Sequence, residues 1–228
     1  MNEKRRPHRV RFPVFAAALA AFLLAGAFPL AAQEAGESAP RADGTPTFYL
    51  HISGRLAGDF MSCPGINDFV APFKGGGFGV NVAGGLRAGF RNIVQIEYRM
   101  DISYLHDLTM PTGETNHEMT NTSPKTYLAK FNPLFWTGDP GTAWFLVFGL
   151  GRDVKYYDKN ENGWKKGDMT VLGLEYDKIS RNLEAGASLE YRTVTYNQFD
   201  LPDFGSAASS FKASFIVAAV HFGIGLGF

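Results

Sequence analysis

The chain has 228 residues, with 22 Lys and Arg against 22 Asp and Glu, 45% hydrophobic residues, 14% aromatics, 26 glycines and a single cysteine. The charge balance speaks against nucleic acid as a partner, and the lone Cys63 excludes an internal disulfide and a cysteine-rich metal centre. Removing residues 1–32 leaves 17 basic and 21 acidic groups, so the remainder is mildly acidic.

Those first residues carry the address. Lys4, Arg5, Arg6, Arg9 and Arg11 precede an apolar stretch from Phe12 to Ala32, the order of a secretory signal peptide with cleavage expected near Ala32. An uncleaved anchor is the alternative, because about 20 apolar residues can span a bilayer. Residues 33–45 are small, polar and proline-containing, which predicts a flexible linker. Residues 46–228 read as one domain.

Within that domain apolar residues alternate with period two, which means strands. Val94, Ile96, Tyr98, Met100, Ile102 and Tyr104 share one face, and Gln95, Glu97, Arg99, Asp101 and Ser103 share the other. Strands are expected near Thr47–Ala57, Gly75–Phe90, Ile93–Leu105, Lys125–Phe135, Ala143–Tyr156, Met169–Asp177, Asn182–Tyr196 and Ser209–Phe228. Their connectors alternate between long (58–74, 106–124, 157–168, 197–208) and short (91–92, 136–142, 178–181). Eight strands with that asymmetry predict an all-β, antiparallel up-and-down transmembrane barrel with both termini periplasmic. A soluble sandwich is the alternative. Phe48, Phe90, Phe135, Trp144 and Phe228 would form one interfacial girdle, and Tyr104, Tyr127 and Tyr156 the other. Pro133 conflicts with a continuous fourth strand, which is expected to bulge or stop near Asn132.

The terminal strand VHFGIGLGF, the segment LEAGASLEYR at 183–192 and the Gly-punctuated WFLVFGLG at 144–151 resemble the small eight-stranded outer-membrane barrels, a superfamily that includes the OmpA transmembrane domain, OmpX and OmpW-like proteins. The resemblance covers about residues 46–228. It implies an outer-membrane location, contact with outer-membrane lipid and lipopolysaccharide, and recognition of Phe228 by the barrel-assembly machinery. It leaves activity open, because one fold hosts many functions.

The phasing sends Arg55, Arg87, Arg99, Lys130, Lys155 and Arg192 into the lumen against Glu97, Asp101, Asp153, Glu175, Glu184 and Glu190. An eight-stranded interior is only just wide enough for side chains to fill, and buried charges must be paired, so this set predicts a plug of ion pairs. A narrow channel for small solutes, gated by the same pairs, is the alternative. His51 and Ser53 on one strand face look like the His-x-Ser pair of outer-membrane lipid A deacylases, which makes a lipid-modifying enzyme a third reading. Phased inward, they are read as polar lumen contacts, and His221 as a hydrogen-bond partner rather than a metal ligand. His106 and His117, with Asp107 and Glu118, are too loosely spaced for zinc. No catalytic, cofactor-binding or metal-ligating residue is therefore predicted. Phe60, Met61, Ile66, Phe69, Val70, Phe73 and Trp164 are expected on external loops, where they could meet a surface receptor.

Overall fold

A computed structural model describes residues 48–63, 75–90, 93–108, 117–134, 141–159, 161, 163–180, 182–201 and 205–227. The signal-peptide and linker expectations, and Phe228, lie outside the described residues. Eight strands follow in chain order: β1 (Phe48–Cys63), β2 (Gly75–Phe90), β3 (Val94–Leu108), β4 (His117–Phe131), β5 (Thr142–Asp158), β6 (Gly163–Ser180), β7 (Leu183–Leu201) and β8 (Gly205–Gly227). Each pairs antiparallel with the next. β1 also pairs with β8, Tyr49 opposite Gly227, and this closes the barrel.

Closure explains how so polar a strand face can be inside and so apolar a face outside. On β3 the side chains of Val94, Ile96, Tyr98, Met100, Ile102 and Tyr104 are exposed, whereas Gln95, Glu97, Arg99, Asp101 and Ser103 are buried. Outward rows of the same kind continue through Ile52 and Leu56 on β1, Phe148 and Leu150 on β5, and Phe222 and Ile224 on β8. Soluble monomers seldom expose apolar patches beyond about 300–600 Å², so an apolar belt around a whole barrel calls for lipid. Ten residue steps from Val94 to Tyr104, at about 3.3 Å each on a strand tilted by about 40°, give a belt about 25 Å tall, the height of a membrane barrel's apolar band. Among the described residues no helix is long and apolar enough to cross a membrane.

At the end of the barrel where β1 begins and β8 ends, the terminal end, Phe48, Phe90 and Trp144 are exposed; Phe48 meets Phe90 edge-on at 6.3 Å, and Trp144 packs on Tyr176 at 4.8 Å. Tyr98 and Tyr127, paired across β3 and β4 and 5.4 Å apart, face outward in the half nearer the terminal end, so Tyr127 does not stand with Tyr104 in a far girdle as expected. Phe135 lies outside the described residues. β4 stops at Phe131, and Asn132 Oδ1 accepts a hydrogen bond from the Leu134 amide at 2.9 Å, so Pro133 falls in a turn and never faces the ladder.

Four further expectations are corrected. Residues 157–168 and 197–208 are not long loops, because β5, β6, β7 and β8 run through most of both segments. Past the lipid belt a strand no longer needs an apolar outer face, so its sequence loses the alternation that marks it. Asp153 and Lys155 are exposed outside the barrel, not in the lumen, and Tyr156 is fully buried inside instead of joining the outer girdle. One β-bulge causes all three. Asp153 has φ 57°, and the β5–β6 register shifts between Gly151 and Val154. Arg152 and Asp153 therefore both face out, and the inward set changes from odd-numbered residues up to Gly151 to Val154 and Tyr156. The same device at Lys166, φ 51°, turns Trp164 inward to full burial, where a loop position was expected. On β4 a third phase change, at Pro124-Lys125, suits a proline that cannot donate to the ladder.

Candidate functional site

The barrel interior is the candidate site, and it is built in three storeys. Nearest the terminal end, Arg87 on β2 is the centre of an acidic ring. Its Nε donates to Glu97 at 2.9 Å, and its Nη1 lies 2.5 Å from Glu184, 3.2 Å from Glu175 and 3.4 Å from Asp177. Lys130 bridges Glu97 and Glu175, each at 2.6 Å. Two imidazoles complete the storey. His221 Nε2 is 2.6 Å from Asp177 Oδ1, while His51 stacks on Tyr49 with its Nε2 3.8 Å from Glu184.

Glycines make this crowding feasible. A Cβ on Gly223 would overlap the His51 imidazole, one on Gly225 the Tyr49 ring, and one on Gly186 both Asp177 Oδ1 and the Tyr176 carbonyl. Asp177, Gly186 and His221 stand in one register row across β6, β7 and β8. The missing side chain on the middle strand lets its two neighbours meet above it.

At mid-height three guanidiniums surround Glu190 on β7. Arg99 grips it with a two-pronged fork, both contacts at 3.0 Å. Arg55 Nη1 donates at 2.6 Å and Arg192 Nε at 2.9 Å. Arg192 also donates to Asp101 at 3.1 Å, and Asn81 to the same oxygen at 3.3 Å. Counting the buried Asp59, three cations meet three carboxylates. Charge-assisted, bidentate contacts of this kind are the strong class of hydrogen bond.

Beyond them, towards the hairpin end, the filling turns aromatic. Trp164, Tyr156, Tyr196 and Phe211, from four different strands, are each fully buried. Trp164 stacks on Phe211 at 5.1 Å, Tyr196 stacks on Phe211 at 5.7 Å, and Tyr156 contacts both Tyr196 and Phe211 at 5.9 Å. Met61, Leu105, Met119, Met169, Val194 and Phe215 belong to the same apolar cluster. Sequence reasoning misses Tyr156 and Trp164 because they acquire their inward phase from the bulges, whereas Tyr196 and Phe211 keep the unbroken alternation of β7 and β8. The available signal was the pairing of polar neighbours, Arg152-Asp153 and Lys165-Lys166, which breaks a strict alternation.

Of the predicted lumen residues, Arg55, Arg87, Glu97, Arg99, Asp101, Lys130, Glu175, Glu184, Glu190 and Arg192 come together inside. Asp153 and Lys155 do not. Asp153 instead holds Lys125 at 3.1 Å on the outer surface, beside an open depression lined by Pro124, Lys155, Lys165, Lys166 and Gln198. On the same rim Lys165 lies 2.8 Å from Asp200 and Gln198 donates to it at 2.7 Å; with Ser206 also bonded to it, these partners hold the Asp200 carboxyl down at about 2. Asp177, Asp59, His51 and His221 are interior residues that the predicted ion-pair set omits. His51 and Ser53 are buried in the lumen, away from the lipid-facing surface where an acyl chain would lie. Met61 is buried in the apolar cluster, Phe60 packs on Phe78 at 5.3 Å, and Ile66, Phe69, Val70 and Phe73 lie outside the described residues.

No family of known sequences and no curated protein matches this chain. Solved structures do. Neisserial surface protein A is similar over 77% of this chain and 96% of its own, with 8% identity and a TM-score of 0.48. The outer membrane protein OprG from Pseudomonas aeruginosa is similar over 80% and 98%, with 12% identity and a TM-score of 0.48. The outer membrane protein AlkL is similar over 85% and 97%, with 8% identity and a TM-score of 0.40. By its closed antiparallel ring of eight strands, the chain has the fold of an all-β, up-and-down eight-stranded barrel.

Proposed function

We propose that the protein is a non-enzymatic barrel of the outer membrane with a structural or surface-interaction role, adhesin-like, carried by its hairpin end. The observation that carries this reading is the filled interior: an ion-pair lattice across the middle and a fully buried aromatic cluster beyond it. A lumen filled in this way supports a scaffold more than a path for solutes. The inward burial of His51 and Ser53 likewise favours a structural over a lipid-hydrolysing role. The termini lie in the periplasm, Phe228 engages the barrel-assembly machinery, and the hairpin end meets lipopolysaccharide and any receptor. Lys125, Arg152, Lys155 and Lys166 project outward from the bulges, beyond the apolar belt, at the level where anionic headgroups would sit.

Cysteine labelling of intact cells tests the placement. In a Cys63→Ser background, a cysteine introduced at Lys159 in the β5–β6 turn reacts with a membrane-impermeant maleimide, and one at Asn182 in the β6–β7 turn reacts only after the outer membrane is opened. The reverse pattern, or labelling of both in intact cells, overturns the orientation.

A further inference from the structure

The terminal-end storey is short of positive charge. Four buried carboxylates, Glu97, Glu175, Asp177 and Glu184, face two permanent cations, Arg87 and Lys130, whereas the middle storey balances three against three. A barrel interior does not hold two uncompensated carboxylates without a counter-charge. Two buried imidazoles, His51 and His221, stand beside the excess acid, and imidazole with carboxylate is a donor set suited to zinc and its first-row neighbours.

The donors converge. One ligand atom from each of Glu175, Asp177 and His221 lies within 4.8 Å of the others, and all three residues are buried. His221 Nε2 is 2.6 Å from Asp177 Oδ1 and 3.9 Å from Glu175 Oε1. Tetrahedral zinc, with bonds of about 2.0–2.2 Å, holds its donors about 3.3–3.6 Å apart, so rotamer-scale motion suffices. Arg87 approaches Asp177 through Oδ2 and leaves Oδ1 to the imidazole. Glu175 is shared with Lys130 and Arg87. His51 is the second pointer. It is 1% exposed, its Nε2 is directed at Glu184, and neither ring nitrogen has a hydrogen-bond partner. Gly186, between Asp177 and His221, keeps the space at their facing atoms free of a side chain.

We propose that this storey binds one divalent transition-metal cation through Glu175, Asp177 and His221, with His51 and Glu184 as the adjoining donors. A charge of two supplies what Arg87 and Lys130 leave uncompensated, and the ion ties β6 to β8 across the glycine of β7.

The test is metal content and affinity of the refolded full-length protein. It is folded with and without Zn²⁺ at neutral pH, checked by heat-modifiable gel mobility, desalted, and assayed by elemental analysis and by competition with a chromogenic chelator. The expected result is one zinc per folded barrel, with affinity lowered at least 100-fold in His221→Ala and in Asp177→Asn. His106→Ala, on the outside, leaves it unchanged. Should either interior variant fail to fold, Co²⁺ added to the wild type provides the second reading, since an interior nitrogen-containing tetrahedral site gives strong visible absorption bands. Absence of stoichiometric zinc and of those bands overturns the proposal and assigns the missing charge to protons. Zinc lost in His106→Ala but kept in His221→Ala overturns it as well.

Discussion

Replacing Glu190 with glutamine removes one negative charge from the middle storey while nearly conserving volume. The three guanidiniums that contact it, Arg55 at 2.6 Å, Arg99 at 3.0 Å and Arg192 at 2.8 Å, would then share Asp101 and Asp59 alone. Removing one partner from a buried, hydrogen-bonded charge set costs about 3–5 kcal/mol, because the partners stay buried without compensation. At about 1.4 kcal/mol per factor of ten, this lowers the ratio of folded to unfolded protein by two to nearly four orders of magnitude. The assay is urea unfolding of the protein refolded into lipid vesicles, followed by tryptophan fluorescence and gel mobility. Asp153→Asn is the control: its pair with Lys125 is half-exposed on both sides and predicts no resolvable shift in midpoint. A loss under about 1 kcal/mol in Glu190→Gln, at unchanged denaturant slope, would refute the claim that the lattice is buried and mutually dependent.

Trp164→Ala empties the centre of the aromatic storey; its stability is expected to fall by about 3–5 kcal/mol, and an unchanged urea midpoint contradicts the burial. Gly223→Ala forces a methyl group into the His51 imidazole, and overpacking of about 1–3 kcal/mol should appear as a reduced heat-modifiable fraction, whereas normal folding would show that the ring has room to move. The Asp200 carboxyl, held at about 2 against an ordinary 3.8, contributes stability that is present above 3.8 and lost as pH falls towards 2. Urea midpoints of wild type and Asp200→Asn should therefore converge over that interval, and curves that stay parallel would deny the Lys165–Asp200 contact its role.

The barrel is legible in the sequence because the membrane imposes two simple conditions on every strand, an apolar outward face and a filled inward one. Ile93–Leu105 displays both without interruption. The charged core was legible for the same reason, since Arg99, Glu97 and Asp101 had no other side to occupy. What the sequence hides is phase. A bulge adds one residue to one strand, and its position depends on the partner strand's register, so Asp153, Lys155 and Tyr156 changed sides together. Strand length beyond the belt was hidden too. Residues 197–208 carry Pro202 and Gly205 and read as a loop, yet Gln198 to Leu201 pair with Gly205 to Ala208.

Ion conductance of the refolded protein in planar bilayers, with folding verified by heat-modifiable mobility, tests the filled interior most directly. The account predicts a folded but electrically silent wild type. Steady, discrete channels from the wild type would contradict it and make the charged interior a transport path.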